Sequence, residues 1–351
     1  MLKSKHFVII SKTQSGETSA IFADRNMESG KRIVLTILIL VLFTGLVEGT
    51  LLLYWRQKVY KATREAEKAI KERMEEEANK ENARLTKLNI EESGVVKTLK
   101  SGNFNRSYFV HVPKSYNRKT KAPVLFVFHG GGDNAKNIEK YTGFSDISEE
   151  NDFLVVYPDG YGARWADGRG IAQGDYEGLD EMLFIRNLIK EIKERFAVDE
   201  NRFYATGFSA GGYLVHKIAC EESQSFKAFA AVGAGFPGNL SNSCKPEKAR
   251  SIMFILGTQD PSYYGWTTPT GVWIYSANET IKKWNELNEC GGEMGKEGKE
   301  VTLQFYEKCK DGTAVYQFIL SGWGHDWHRF PKEENTFDTS KVIMDFFEDE
   351  K

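Results

Sequence analysis

Four cysteines, eight prolines and six histidines among 351 residues leave little material for several kinds of chemistry. Cys220, Cys244, Cys290 and Cys309 are too few and too widely spaced for a zinc site built from paired C-x-x-C ligands. Their even number reads as two disulfides if the chain is exported and as four buried thiols if it is not. Neither sign of charge dominates: the formal net charge is -2, and the last two-thirds of the chain carry no basic stripe interleaved with aromatics. That removes the electrostatic case for a nucleic-acid partner. A hydrophobic content of 41% is low for so long a chain until one heavily charged segment is set aside.

What is present begins with an apolar run. From Ile33 to Trp55 the chain is broken only by Glu48 and a few small residues, and about 20 residues suffice to cross a hydrocarbon core as a helix. Lys31 and Arg32 precede it, Tyr54 and Trp55 stand where interfacial aromatics belong, and Arg56 and Lys58 follow. Val47-Glu48-Gly49 is a poor cleavage site and the apolar run resumes at Leu51, so residues 33–55 read as an uncleaved signal anchor and a membrane contact. Lys and Arg on both sides leave the orientation open. Residues 1–32 form an N-terminal tail. Within it Met27-Glu28-Ser29-Gly30-Lys31-Arg32 is a compact basic lead-in, which makes residues 1–26 either an extension or a short polar tail.

Residues 56–92 change character abruptly. Lys, Arg and Glu dominate, Ala lies between them, and Gly and Pro are absent, so helix propensity is high throughout. Ala62, Ala66, Ala69, Leu85 and Leu88 are too small and irregular for a strong heptad seam. The expectation is a solvated helical stalk, with a weak coiled-coil dimer as the alternative; it carries no chemistry of its own.

From residue 93 to 351 the pattern is that of a folded domain. Residues 108–113 alternate as a strand, whereas Val124 to Phe128 and Phe153 to Tyr157 are apolar on both faces, as a buried parallel sheet requires. Met182, Ile185, Ile189, Ile192 and Phe196 recur at helical spacing. Further strands are expected at 203–205, 228–232, 252–256, 301–306 and 315–320, and helices at 213–220, 272–287 and 340–347. Strand and helix alternate, so the expected class is α/β with one mostly parallel sheet flanked by helices.

Ligand chemistry in such a sheet gathers beyond the carboxyl ends of the strands. Those ends carry His129-Gly130-Gly131-Gly132, Pro158-Asp159-Gly160, Gly207-Phe208-Ser209-Ala210-Gly211-Gly212, Gly257-Thr258-Gln259-Asp260 and Gly322-Trp323-Gly324-His325. A serine between small residues at a strand-to-helix turn has the form of a nucleophile elbow. Acyl transfer by serine needs a base, an acid that orients the base, and donors for the oxyanion. Ser209 is the candidate nucleophile, His325 the base, Asp260 the orienting carboxylate, and the N–H groups of Ala210 and Gly131 the oxyanion donors. The order Ser, Asp, His is that of the α/β-hydrolases. His328 competes with His325, but Gly324 beside His325 suits a catalytic loop better.

From about residue 95 to 350 the chain resembles the esterase family that includes poly(3-hydroxybutyrate) depolymerases, feruloyl esterases and acetylxylan esterases, carbohydrate esterase family one. The resemblance is carried by Val127-Phe128-His129-Gly130-Gly131-Gly132, Tyr157-Pro158-Asp159-Gly160 with Trp165, Asp180-Glu181 with Phe184-Ile185, Tyr204 through Gly212, Gly257 through Asp260, and Gly324-His325 with Trp327. It implies a metal-independent, cofactor-free hydrolase of carboxylic esters, acting on acyl groups of a polysaccharide or on a polyester. It also implies the pairs Cys220 with Cys244 and Cys290 with Cys309, and hence an oxidising, extracytoplasmic setting. Sequons at Asn105, Asn239 and Asn278 are compatible with export. Trp165, Tyr264, Trp323 and Trp327, with Tyr263 and Trp266, are the aromatics available to line a substrate cleft. The chain departs from many relatives at His328-Arg329, where Pro-Gly is common, and at Ala166, where a polar residue is frequent. An acyltransferase or peptidase on the same fold, or a non-catalytic binding protein, are the competing functions; the complete Ser209, Asp260 and His325 set argues against the last.

Overall fold

A computed structural model describes residues 8–12, 18–22, 49–292, 294–328 and 337–350 of the chain. They fall in two compact units, Met1–Lys80 and Glu81–Lys351. In the first, β1 (Val8–Lys12) pairs antiparallel with β2 (Thr18–Phe22), and α1 (Gly49–Glu91) begins. Of the expected membrane span, residues 33–48 lie outside the described residues and 49–55 open α1. Among the described residues no helix is long and apolar enough to cross a membrane. The charged segment is helical. Pairs one turn apart, such as Lys68–Glu72 at 3.6 Å and Glu76–Lys80 at 2.6 Å, line its solvated surface, each adding a few tenths of a kcal/mol at about 0.3–0.5 kcal/mol per pair.

The domain boundary expected at residue 93 moves upstream. Asn89 is buried and donates its side-chain amide to the Arg195 carbonyl at 3.1 Å, Thr86 accepts the Arg118 N–H at 3.1 Å, and Ile90 packs on the core. The last turns of α1 therefore belong to the second unit. Nothing in their composition distinguishes them from the solvated turns before them except Leu85, Leu88 and Ile90.

The second unit continues through β3 (Lys97–Ser101), β4 (Phe104–His111), β5 (Ala122–Phe128), α2 (Ala135–Thr142), α3 (Phe144–Asn151) and β6 (Leu154–Pro158). Next come α4 (Gln173–Glu177), α5 (Glu181–Arg195), β7 (Val198–Phe208), α6 (Ala210–Glu221), β8 (Ala228–Val232) and β9 (Ser251–Gly257). A short α7 (Pro261–Tyr264), the two-residue strands β10 (Trp266–Thr267) and β11 (Trp273–Ile274), and α8 (Ala277–Leu287) follow. The chain closes with β12 (Met294–Glu297), β13 (Val301–Tyr306), β14 (Val315–Leu320) and α9 (Thr339–Asp349).

Ten strands form one sheet in the order β12-β13-β14-β9-β8-β7-β5-β6-β4-β3. From β14 to β6 every neighbour is parallel, and the arms at both edges are antiparallel. Alternation splits the core in two. Val124, Phe126 and Phe128 of β5 face the layer of α5, α6 and α8, while Leu125 and Val127 face that of α2, α3 and α9. Helices cover both faces, which is why β5, β6 and β8 are apolar throughout. The helix expected from Val272 starts only at Ala277. Ile274 pairs with Trp266, Tyr275 donates to the Phe236 carbonyl at 2.9 Å, and Ser276 caps the helix in a reciprocal box with Glu279.

One buried group predicts how the fold responds to acid. His216 of α6 is fully buried; its Nδ1 accepts the Trp284 indole N–H at 3.0 Å, and its Nε2 lies 3.3 Å from the Ala234 carbonyl. The ring is thus held neutral, with its proton on Nε2, and burial pushes its pKa down to about 4. In the unfolded chain a histidine titrates near about 6.5, so the unfolded state binds the extra proton first as pH falls. His216 therefore contributes stability that is complete above about 6.5 and is lost toward 4, roughly 2–3 kcal/mol by pH 4.5. Urea denaturation is expected to show the gap between wild type and His216→Asn narrowing by that amount between pH 7 and 4.5. A gap independent of pH would mean that His216 is not held neutral.

Candidate active site

The register of the sheet brings the sequence motifs together. Phe128 of β5 pairs with Gly207 of β7, so the glycine run after one strand lies beside the serine turn after the other. Strand order reverses direction at this pair, since β6 lies on one side of β5 and β7 on the other, and such a switch point opens a crevice. Asp260 lies just beyond the end of β9 and His325 just beyond the end of β14, strands that also pair directly.

Ser209 sits between β7 and α6 at φ 53°, ψ −114°, a conformation that costs a non-glycine residue about 1–3 kcal/mol. Its N–H donates to the Val232 carbonyl at 2.9 Å and its carbonyl accepts the Tyr213 N–H at 3.0 Å, so the surrounding elements impose the strain. Small neighbours are a steric requirement. A Cβ on Gly211 would collide with the Phe128 carbonyl oxygen, and one on Gly207 would lie 2.5 Å from the Gly211 carbonyl. Gly211→Ala is expected to cost about 3 kcal/mol, at the upper end for overpacking, because the obstacle is backbone. Chemical denaturation checks this; a cost under about 0.5 kcal/mol would mean that the turn relaxes freely.

His325 and Asp260 are joined, Nδ1 to Oδ2, at 2.6 Å. The Asp260 side chain is 1% exposed and that of His325 38% exposed, so the couple has a buried acid and a ring that reaches solvent. The second Asp260 oxygen accepts the Ser262 N–H at 2.8 Å, capping α7 and fixing the carboxylate plane. The turn bearing His325 is pinned to the turn bearing Asp260: Gln259 donates to the Trp323 carbonyl at 2.8 Å and Gly322 to Thr258 Oγ1 at 2.8 Å. The imidazole lies against Phe208, with ring centroids 4.9 Å apart. Ser209 and His325 line one cleft of about 620 Å³, together with Gly130, Gly131 and residues of α2. A Cβ on Gly131 would lie 3.6 Å from that of Ala210, so the two expected oxyanion donors are neighbours, and neither N–H is bonded to another described residue.

Behind the glycine run stands His129, fully buried. Its Nε2 accepts the Gly160 N–H at 2.8 Å, which places its proton on Nδ1, 2.7 Å from the Gly130 carbonyl; burial lowers its pKa and keeps it neutral. Trp165 donates its indole N–H to the His129 carbonyl at 2.8 Å, and Gly132 donates to the Ala163 carbonyl at 2.8 Å. Arg106 and Glu181, both buried, pair at 2.7 Å; Arg106 also donates to the Asp159 carbonyl, and Glu181 accepts the Ala166 N–H. The segments at 158–165 and 180–185 are thus the scaffold of the glycine loop.

This corrects the expected cleft aromatics. Trp165 is fully buried in that scaffold, and Trp327 is 2% exposed, packed on Phe144 with its indole N–H on Ser340. Tyr264 is exposed and Trp323 partly so, yet neither lines the cleft beside Ser209. The aromatics that do are Phe208 and Tyr141. His328 is 9% exposed with Nδ1 3.7 Å from Asp326, apart from Asp260; Arg329 lies outside the described residues. Cys220 is bonded to Cys244 and Cys290 to Cys309.

Residues 147–248 match the model of the prolyl oligopeptidase family, a stretch that includes the serine turn and ends before Asp260. Feruloyl esterase B of Piromyces equi is 28% identical over 232 residues, 63% of this chain and 42% of that protein. A bifunctional acetylxylan esterase/xylanase of Neocallimastix patriciarum is 23% identical, over 62% of this chain and 30% of that protein. Feruloyl esterase D of Neurospora crassa is 23% identical, over 66% and 78%. The chain is similar to feruloyl and acetylxylan esterases and has the α/β-hydrolase fold. It spans less than half the length of the first two relatives. The fold agrees: the acetyl xylan esterase from Aspergillus awamori superposes with a TM-score of 0.52 over 73% of this chain and 99% of that one, at 13% identity.

Two features of this α/β-hydrolase were not foreseen. Tyr141 was missed because α2 and α3 are short and follow the glycine run without a capping box; only Asn134, whose side chain accepts the Asn137 N–H, signals a helix start. The buried Arg106–Glu181 pair was missed because a charged residue in an alternating strand reads as solvent-facing until its partner is known.

Proposed function

We propose that this chain is a serine esterase working through an acyl-enzyme at Ser209. The observation that carries the reading is the 2.6 Å His325–Asp260 couple, with His325 and Ser209 lining one cleft. Ser209 Oγ attacks the ester carbonyl carbon while its proton passes to His325 Nε2. The N–H groups of Ala210 and Gly131 donate to the tetrahedral oxyanion. Collapse breaks the ester bond, the alcohol leaves with the proton from His325, and water repeats the sequence to release the acid. Asp260 keeps the second proton of the ring on Nδ1.

For substrate we propose acyl groups on a polysaccharide, feruloyl or acetyl, a reading supported by the names of the relatives; a hydroxyalkanoate polyester is the alternative ester. A peptidase is the second reading, favoured by the match of 147–248 to the prolyl oligopeptidase family. A panel of acetylated xylan, methyl ferulate, short poly(3-hydroxybutyrate) and a proline-containing peptide tests these together. Turnover of the peptide alone would replace the esterase reading.

We also propose that the catalytic domain works in an oxidising, extracytoplasmic compartment, anchored through residues 33–55. The two disulfides and the apolar run support this. Mass mapping of the native protein under non-reducing conditions is expected to find both bridges, and alkaline extraction to leave the protein with membranes. Four free thiols would overturn the compartment, and release into the supernatant the anchor.

A further inference from the structure

The loop that presents His325 is tied down on its N-terminal side by Trp323 and Gly322, as described, but its C-terminal side meets a different part of the fold. Tyr141, near the end of α2 and in the wall of the cleft, donates its hydroxyl to Asp326 Oδ1. The same hydroxyl accepts the Trp327 N–H at 3.0 Å. Asp326 Oδ1 accepts that N–H as well, at 2.8 Å, so a phenol, a carboxylate and a backbone amide close on one another immediately after His325. The Tyr141 ring packs on Phe208 at 5.6 Å between centroids, and Phe208 in turn packs on His325 at 4.9 Å. Burial and then the neighbouring Asp326 carboxylate raise the Tyr141 phenol to about 12, so it remains a donor across the working range of an esterase.

The need for such a clamp follows from what surrounds the loop. Gly322 has φ +77°, and a Cβ on either Gly322 or Gly324 would meet nothing within 4 Å, so neighbouring side chains do not confine the backbone there. His325 itself is more than a third exposed and is held at one ring nitrogen by Asp260. A base so held can swing about that bond unless the following residue is fixed.

We infer that Tyr141 is a positioning residue for His325, acting through Asp326 and the Trp327 backbone to set where Nε2 stands over Ser209. This rests on the reading of His325 as general base. Tyr141 and Asp326 are 185 positions apart in sequence, and the contact ties the wall after the oxyanion loop to the loop of the base. Wall and base are thereby kept in one geometry.

The test uses the full chain, with kcat and KM for p-nitrophenyl acetate beside thermal unfolding. Tyr141→Phe and Asp326→Leu are each expected to lower kcat about ten- to hundred-fold at nearly unchanged KM, the scale of a base misplaced by about an ångström. Because both remove one clamp, the double variant should be no worse than either single. Asp326→Asn, which keeps the acceptor oxygen, should stay within about threefold of wild type. The inference is overturned if Tyr141→Phe keeps wild-type kcat, if KM alone rises, if the two losses multiply, or if activity per folded molecule is unchanged while the melting temperature falls. A wild type with no ester turnover overturns the esterase reading and this inference together; an active wild type matched by Tyr141→Phe overturns this one only.

Discussion

Ser209→Ala is expected to reduce ester turnover about a million-fold, the scale seen when the nucleophile of a triad is removed. The loss is chemical rather than structural. The bonds that hold the residue, its N–H to Val232 and its carbonyl from Tyr213, are backbone bonds and survive the substitution. Alanine tolerates φ 53° no better and no worse than serine, so the strain already stored in the turn is unchanged. The melting temperature should therefore move by no more than about 2 °C, the shift of a ΔΔG near 0.5 kcal/mol in a domain this large. With p-nitrophenyl acetate as substrate, undiminished turnover in this variant would sink the mechanism, whatever else the cleft does.

Asp260→Asn is expected to cost about ten-thousand-fold in kcat, with the fold again intact. The amide keeps an oxygen for the Ser262 N–H, so the cap of α7 persists. Its NH₂ group, however, now points a donor at His325 Nδ1, where the carboxylate accepted at 2.6 Å. The imidazole answers by carrying its proton on Nε2, where it can no longer take one from Ser209. A buried acid, 1% exposed, has no water to repair the mismatch. A loss below about tenfold would mean that another carboxylate orients the ring. Asp326 is then the group to substitute, since it is the next residue in the chain after His325.

Much of the sheet was legible because its strands are buried on both faces. β8 begins and ends where its apolar run does, and the less buried β13 and β14 also fall on the stretches expected of them. The elbow was legible from its small residues: Gly207 and Gly211 are demanded by backbone contacts that leave no room for a Cβ. Where prediction slipped, a longer-range partner had intervened. Trp273 and Ile274 adjoin a helical stretch, but their bulky side chains favour a strand, and pairing of Ile274 with Trp266 takes them into a hairpin. Only the Ser276–Glu279 box, two residues further on, marked the true start. Asn89 and Ile90 likewise look like stalk until Arg195 and the core are seen beneath them.

The substrate aromatics show the same limit at the site. Trp165 and Trp327 sit beside catalytic motifs in the sequence, yet both point inward, one holding the His129 carbonyl and the other Ser340. Which face a tryptophan presents depends on what packs against its loop, and adjacency along the chain does not contain that information. The same holds for Tyr141, whose partner Asp326 is 185 positions further along the chain.

By itself, then, the sequence determined the α/β class, the run of small residues around Ser209, the chain order of Ser209, Asp260 and His325, and the helical character of the charged segment. Each of these rests on interactions within a few residues or on a periodicity of two or 3.6. Tertiary structure alone decided that Phe128 pairs with Gly207, that Asp260 rather than Asp326 meets His325 Nδ1, which aromatics face the cleft, and where the domain begins. Those outcomes belong to contacts between residues tens to hundreds of positions apart. The chain encodes such contacts only through the summed burial and hydrogen bonding of the whole fold.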